Sequence, residues 1–145
     1  MIYFAYGSNM HRARIAEACA SARPLRVARI PNHSVIFTGR SASWGGGTAT
    51  IGLAAKRDLW GALYEIDKAC RTQLEADGRG DGYVWTWTYV IDGEGERVRA
   101  GMLIKVRDLE QTTPAPEYLE LLKEAWRQWD LDPSGPLPSP PSEDE

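Results

Sequence analysis

The sequence predicts an α+β fold built on a small β-barrel with a few peripheral helices. Two observations carry that expectation. Seven short segments rich in aromatic and β-branched residues alternate with Gly, Pro, Asn and Asp, whereas only three segments show helical spacing. The chain of 145 residues, 43% hydrophobic and 26% charged, is long enough for one buried core and too short for two ordinary domains.

The elements follow in order. Residues 2–6, IYFAY, suit a buried strand, and Gly7-Ser8-Asn9 interrupts it. From Asn9 onward, Met10, Ala13, Ala16, Cys19 and Ala20 recur at spacings of three and four, with Asn9 as the expected N-cap. Pro24 and Pro31 bracket a strand LRVARI, HSVIFTG (33–39) forms a third, and a glycine-rich loop runs from Arg40 to Gly47. Strands TATIGLA (48–54) and LWGALYEI (59–66) come next. Asp67 has the chemistry of an N-cap for a short helix through Leu74, before glycines at 78, 80 and 82. YVWTWTYVI (83–91) is the strongest strand, pairing with GMLIKVR (101–107) across Asp92-Gly93-Glu94-Gly95. Tyr118, Leu119, Leu122, Ala125, Trp126 and Trp129 then define the apolar face of a helix over about 116–130, with Pro116 in its first turn. Residues 1–132 are expected to form the domain. The segment 133–145 holds five of the nine prolines and the acids Glu143, Asp144 and Glu145, and is expected to be a disordered tail.

Composition narrows the partners. With that acidic terminus set aside, the remaining charge balances to zero, so no field concentrates nucleic acid or an anionic membrane. No stretch approaches the roughly 20 apolar residues of a membrane-spanning helix, and Met1-Ile2-Tyr3-Phe4 lacks the basic region of a secretory signal, so a cytoplasmic protein is expected. Cys19 and Cys70 stand without CxxC or a nearby histidine, which argues against zinc and reads as buried thiols in a reducing compartment. A small-molecule ligand remains as the expected partner. A homodimer is compatible with any tryptophans left exposed.

At the strand-to-helix junction, glycine followed by Ser-Asn leaves backbone N–H groups without helical partners, an arrangement suited to an anion or oxyanion. Gly-Ser-Asn is equally ordinary turn material. His11 and His33 lack a Ser, Cys or Asp partner, and Gly45-Gly46-Gly47 lacks the lysine of a phosphate loop, so neither a nucleophilic triad nor a nucleoside triphosphatase is expected. Trp44 is either a residue at a pocket mouth or the anchor of a surface loop.

The opening YFAYGSNM resembles the YFAYGSN signature of γ-glutamylcyclotransferase-like proteins, a family with γ-glutamylamine cyclotransferases and AIG2-like proteins among its members. FTGRSASWGGGTATI, LWGALYEI and APEYLELLKEAW resemble later family segments, so the likeness spans roughly residues 2–130. It implies a mainly antiparallel barrel of about six strands. It also implies that the backbone of Tyr6, Gly7, Ser8, Asn9 and Met10 holds a γ-glutamyl group. Tyr118, from the APEYLELLKEAW segment, is implied to reach the ligand, although it also reads as a core aromatic.

The implied reaction is intramolecular attack of an α-amine on its own γ-carbonyl, releasing 5-oxoproline and an amine without a cofactor. One carboxylate moves the proton. Matching Gly78 and Gly82 to the family pattern D-x-x-E-G-x-x-x-G-x-Y assigns that role to Asp77, where the family has Glu, and puts Val84 at the tyrosine position. Slipping the register to offer Glu75 loses both glycine matches. Those two departures leave open a second function, a γ-glutamyl-type ligand binder or interaction module without turnover.

Overall fold

A computed structural model describes residues 1–132; the tail expected over 133–145 lies outside the described residues. The chain runs through β1 (Ile2–Ala5), a 3-10 turn (Ser8–Met10), α1 (Arg12–Ala18), β2 (Arg23–Thr38) and β3 (Thr48–Glu65). It continues through α2 (Lys68–Gly78), a second 3-10 turn (Arg79–Asp81), β4 (Tyr83–Asp92), β5 (Arg97–Lys105) and α3 (Pro116–Gln128). Five strands close a barrel in the order β1-β3-β2-β4-β5. Every pairing is antiparallel except β1 with β5, which meet in parallel at Tyr3 and Gly101. Closure gives each strand two neighbours and removes the exposed edges of an open sheet.

Five strands stand where about six were expected, because two long strands absorb four of the predicted segments. The chain bends at Pro31 instead of ending there. The β2–β3 register shifts between Pro31 and His33, Asn32 takes φ 60°, and Lys56 opposite takes φ 65°. The Lys56 amide donates to Asn32 Oδ1 at 3.1 Å, joining the two bends. β5 also begins four residues earlier than its apolar run. Arg97 and Arg99 extend it by stacking over Tyr89 and Trp87 of β4, at 4.4 and 4.1 Å from the ring centroids.

Glycine 101 is dictated by its neighbour. A Cβ there would lie 1.8 Å from the Trp85 ring, which crosses β5 to stack on Tyr3 with centroids 5.8 Å apart. On α3, Tyr118, Leu122, Ala125 and Trp126 form the buried face as the spacing predicts, Leu119 lies at its margin and is only partly buried, and Pro116 occupies the first turn.

Three local expectations are corrected. Asn9 caps no helix: Met10 N and His11 N close the tighter 3-10 turn first, α1 starts only at Arg12, and the Asn9 side chain donates to Tyr3 Oη at 3.1 Å. α2 is capped by Asp67 as expected, Cys70 N donating to Oδ1 at 2.8 Å, but it runs past Leu74 to Gly78. Cys19 and Cys70 are not thiols. They form a disulfide with Cα atoms 5.2 Å apart, tying the end of α1 to the first turn of α2. Two cysteines 51 residues apart carry no sequence sign of that proximity, and the disulfide removes the ground on which they pointed to a reducing compartment. Among the described residues, no helix is long and apolar enough to cross a membrane.

Candidate active site

The site starts from the turn after β1. Gly7 O accepts from Met10 N at 3.0 Å and Ser8 O from His11 N at 3.1 Å, while the amides of Gly7, Ser8 and Asn9 enter none of the turn's own bonds. Buried anchors hold this turn on both sides. Tyr6 Oη donates to Leu103 O at 2.6 Å, and Met10 O accepts from Tyr64 Oη at 2.8 Å and from Trp129 Nε1 at 2.9 Å. An added Cβ on Gly7 would lie 3.4 Å from Ala49 Cβ and 3.7 Å from Tyr118 Oη, so glycine keeps the turn close to that hydroxyl.

A cavity of about 350 Å³ opens beside this turn. Tyr6, Gly7, Ser8 and Asn9 line it together with Asp77 and Tyr118, so the residues named from the sequence converge on one space. Met10 is the exception. It is fully buried and contributes its carbonyl as an anchor point behind the turn, outside the lining. Asp77, near the end of α2, is exposed, and its Oδ1 accepts from Gln73 Nε2 at 2.8 Å. Glu75 does not line the cavity, pairing with Arg71 Nε at 2.6 Å.

Two tyrosines grip one residue of β3 through its two flanking peptide groups. Ala49 N donates to Tyr118 Oη at 2.8 Å, and Tyr83 Oη donates to Ala49 O and lies 3.1 Å from Thr48 Oγ1. Tyr118 accepts with its oxygen and so retains a proton for a ligand or neighbour. Burial raises the pKa of Tyr6, Tyr83 and Tyr118 well above the usual phenol range, and the Asp81 carboxylate pushes the last two in the same direction. Tyr3, also on the lining, is pushed up to about 12 by burial. These hydroxyls therefore act as neutral hydrogen-bonding groups.

The structure also names residues that the sequence reading missed. Tyr83 lines the cavity, whereas Val84 is 41% exposed, so the phenol near the site comes from position 83 and not 84. Strand alternation was the available signal: 83 and 85 share one face of β4. Asp81, Arg14 and Glu17 also line the cavity. Trp44 takes the pocket-mouth alternative, its ring 5.3 Å from Tyr118 and under the Arg14 guanidinium at 5.1 Å.

A closed five-stranded barrel carries a glycine turn, neutral phenols and carboxylates around one cavity. No family model matches the sequence. The chain is 30% identical over 127 residues to human gamma-glutamylcyclotransferase, covering 83% of this chain and 67% of the human protein, and equally identical over the same length to the mouse protein of that name. A solved structure of a gamma-glutamyl cyclotransferase superimposes with a TM-score of 0.82 at 27% identity, over 89% of this chain and 79% of that one. A mouse AIG2-like protein shares the fold, with a TM-score of 0.59 at 18% identity over 99% of this chain and 97% of its own. The chain belongs to the γ-glutamylcyclotransferase-like family.

Proposed function

We propose that the chain cyclises a γ-glutamyl amine or γ-glutamyl amino acid to 5-oxoproline and a free amine. The observation carrying this reading is that the Tyr6–Asn9 turn and the Asp77 carboxylate line the same cavity. The substrate's α-nitrogen attacks its own γ-carbonyl carbon, a C–N bond forms, and negative charge develops on the carbonyl oxygen. Backbone amides of the turn and the protonated Tyr118 hydroxyl supply donors for carboxylate and oxyanion. Asp77 takes the proton from the attacking nitrogen and delivers it to the departing amine as the original C–N bond breaks. The nucleophile is already tethered, so orientation contributes much of the acceleration.

Aspartate is one methylene shorter than the family's glutamate, and a misplacement of about 1 Å costs on the order of a hundredfold in rate. Slow turnover is the expected outcome when the purified protein is incubated with γ-glutamyl amines and amino acids and assayed for 5-oxoproline. Asp77→Ala should abolish it. Equal nonzero turnover in both proteins would remove Asp77 from the mechanism. A second reading, a binder without turnover, draws on the exposed position of Asp77 and its engagement by Gln73. It is the correct one if ligands raise the melting temperature while no 5-oxoproline forms.

A further inference from the structure

We propose that Asp81 binds the α-ammonium of the γ-glutamyl group, and that loss of this contact on cyclisation is what releases the product; the inference rests on the γ-glutamyl reading above. Asp81 closes the short turn after α2 and lines the cavity, four residues beyond Asp77. It is half-buried. Its Oδ2 accepts from Ser41 Oγ at 3.1 Å, and among the described residues no donor reaches Oδ1. Nor does it belong to any ion pair among those residues. Lys105, whose charge feels Asp81, spends its ammonium on Thr38 O at 2.6 Å. Arg14 is stacked over Trp44.

A carboxylate facing a partly desolvated cavity with a spare oxygen is stabilised by a cation that brings its own N–H donors. The γ-glutamyl group carries one cation, its α-ammonium. The neighbouring phenols are held neutral by burial and compete with no charge of their own. Ring closure converts the ammonium nitrogen into a lactam N–H. Of its three protons one stays, and the other two end on the departing amine, which leaves as an ammonium, so the nitrogen's positive charge disappears. Asp81 thereby discriminates between reactant and product with the group that the reaction itself consumes, whereas the turn amides meet a carboxylate in both.

The test compares three probes by calorimetry: γ-glutamylglycine, glutarylglycine, which lacks the α-amine, and 5-oxoproline. Each is titrated into Asp77→Asn protein, to suppress turnover, with and without Asp81→Asn. The expected result is roughly a 10- to 100-fold weaker Kd for γ-glutamylglycine on Asp81→Asn, the range of a lost charged hydrogen bond. Glutarylglycine and 5-oxoproline should bind as before, and Asp81→Glu should restore part of the γ-glutamylglycine affinity. Equal weakening of all three would show that Asp81 merely holds Ser41 and its loop, and no weakening of any would also overturn the assignment. Failure of the underlying reading looks different. In that case the wild-type protein binds none of the probes, or binds γ-glutamylglycine without forming 5-oxoproline while the Asp81 contrast persists.

Discussion

The two sides of the cavity are built differently. The turn after β1 and the two tyrosines opposite it are held by buried hydrogen bonds that span the chain: Tyr6 to Leu103, Tyr64 and Trp129 to Met10, Tyr118 to Ala49. The carboxylate side hangs on the end of α2. Asp77 is exposed there, and bonds within one helical turn, Gln73 to Asp77 and Arg71 to Glu75, do the local holding. Main-chain amides recognise a ligand only if the backbone cannot move, so their residues are tightly specified. A proton-transferring carboxylate tolerates replacement, provided an oxygen arrives at the right place. The departure from the family pattern at position 77 falls on the second side.

The anchored side should reveal itself at alkaline pH. Tyr3, Tyr6, Tyr83 and Tyr118 all have pKa values raised above the ordinary 10.0, chiefly by burial. The unfolded chain releases these protons near pH 10 while the folded protein keeps them. Their contribution is thus fully present below pH 10 and is lost as pH rises toward the folded values, about 12 for Tyr3. Each such tyrosine removes about 1.4 kcal/mol per pH unit in that window, and four together on the order of 5 kcal/mol between pH 10 and 11. Urea titrations across that range measure it. Tyr118→Phe should flatten the alkaline slope by one proton; an unchanged slope would mean that this hydroxyl is not the buried, protonated group described above.

The carboxylate side depends on a different restraint. The Cys19–Cys70 disulfide closes a loop of 51 residues and clamps α1 to α2, for which chain entropy assigns about 4 kcal/mol. The double variant Cys19→Ala/Cys70→Ala should unfold at correspondingly lower urea concentration. If the two sides are as independent as their bonding implies, this variant should still bind 5-oxoproline through the turn while its turnover falls, because α2 carries Asp77. A parallel loss of both would show that the turn also leans on the disulfide.

This division explains what was legible beforehand. The Tyr6–Asn9 segment was readable as a turn from its glycine, serine and asparagine after a buried strand, and as a binding element only through its resemblance to the YFAYGSN signature. The α3 face followed from its 3.6-residue period, and Pro116 and Asp67 stand where capping chemistry puts them. Fusion of four strand segments into β2 and β3 was not readable, since Pro31 and the residues around Lys56 have the composition of chain breaks and become bends only when paired across a sheet. The disulfide and Asp81 were hidden for a related reason. Each acquires its meaning from residues distant in sequence, Cys70 for Cys19 and Ser41 for Asp81. Tyr83 was within reach. Matching glycines placed the phenol at 84, and the alternation of β4 would have moved it to 83.

The smallest effect isolates the local holding of Asp77. Gln73 is exposed, and its one hydrogen bond to Asp77 Oδ1 is of the kind that contributes about 0.2–0.5 kcal/mol on a helix surface. Gln73→Met, similar in length but without a donor, should therefore leave the urea midpoint nearly unchanged. Turnover should respond more than stability, because the bond limits where the aspartate oxygen rests, and an acid that is a methylene short has little freedom to spare. A several-fold fall in kcat with KM unchanged would place Gln73 as a positioning residue for the acid. A rise in kcat would mean that the bond restrains Asp77 away from the substrate and that the carboxylate works best when released.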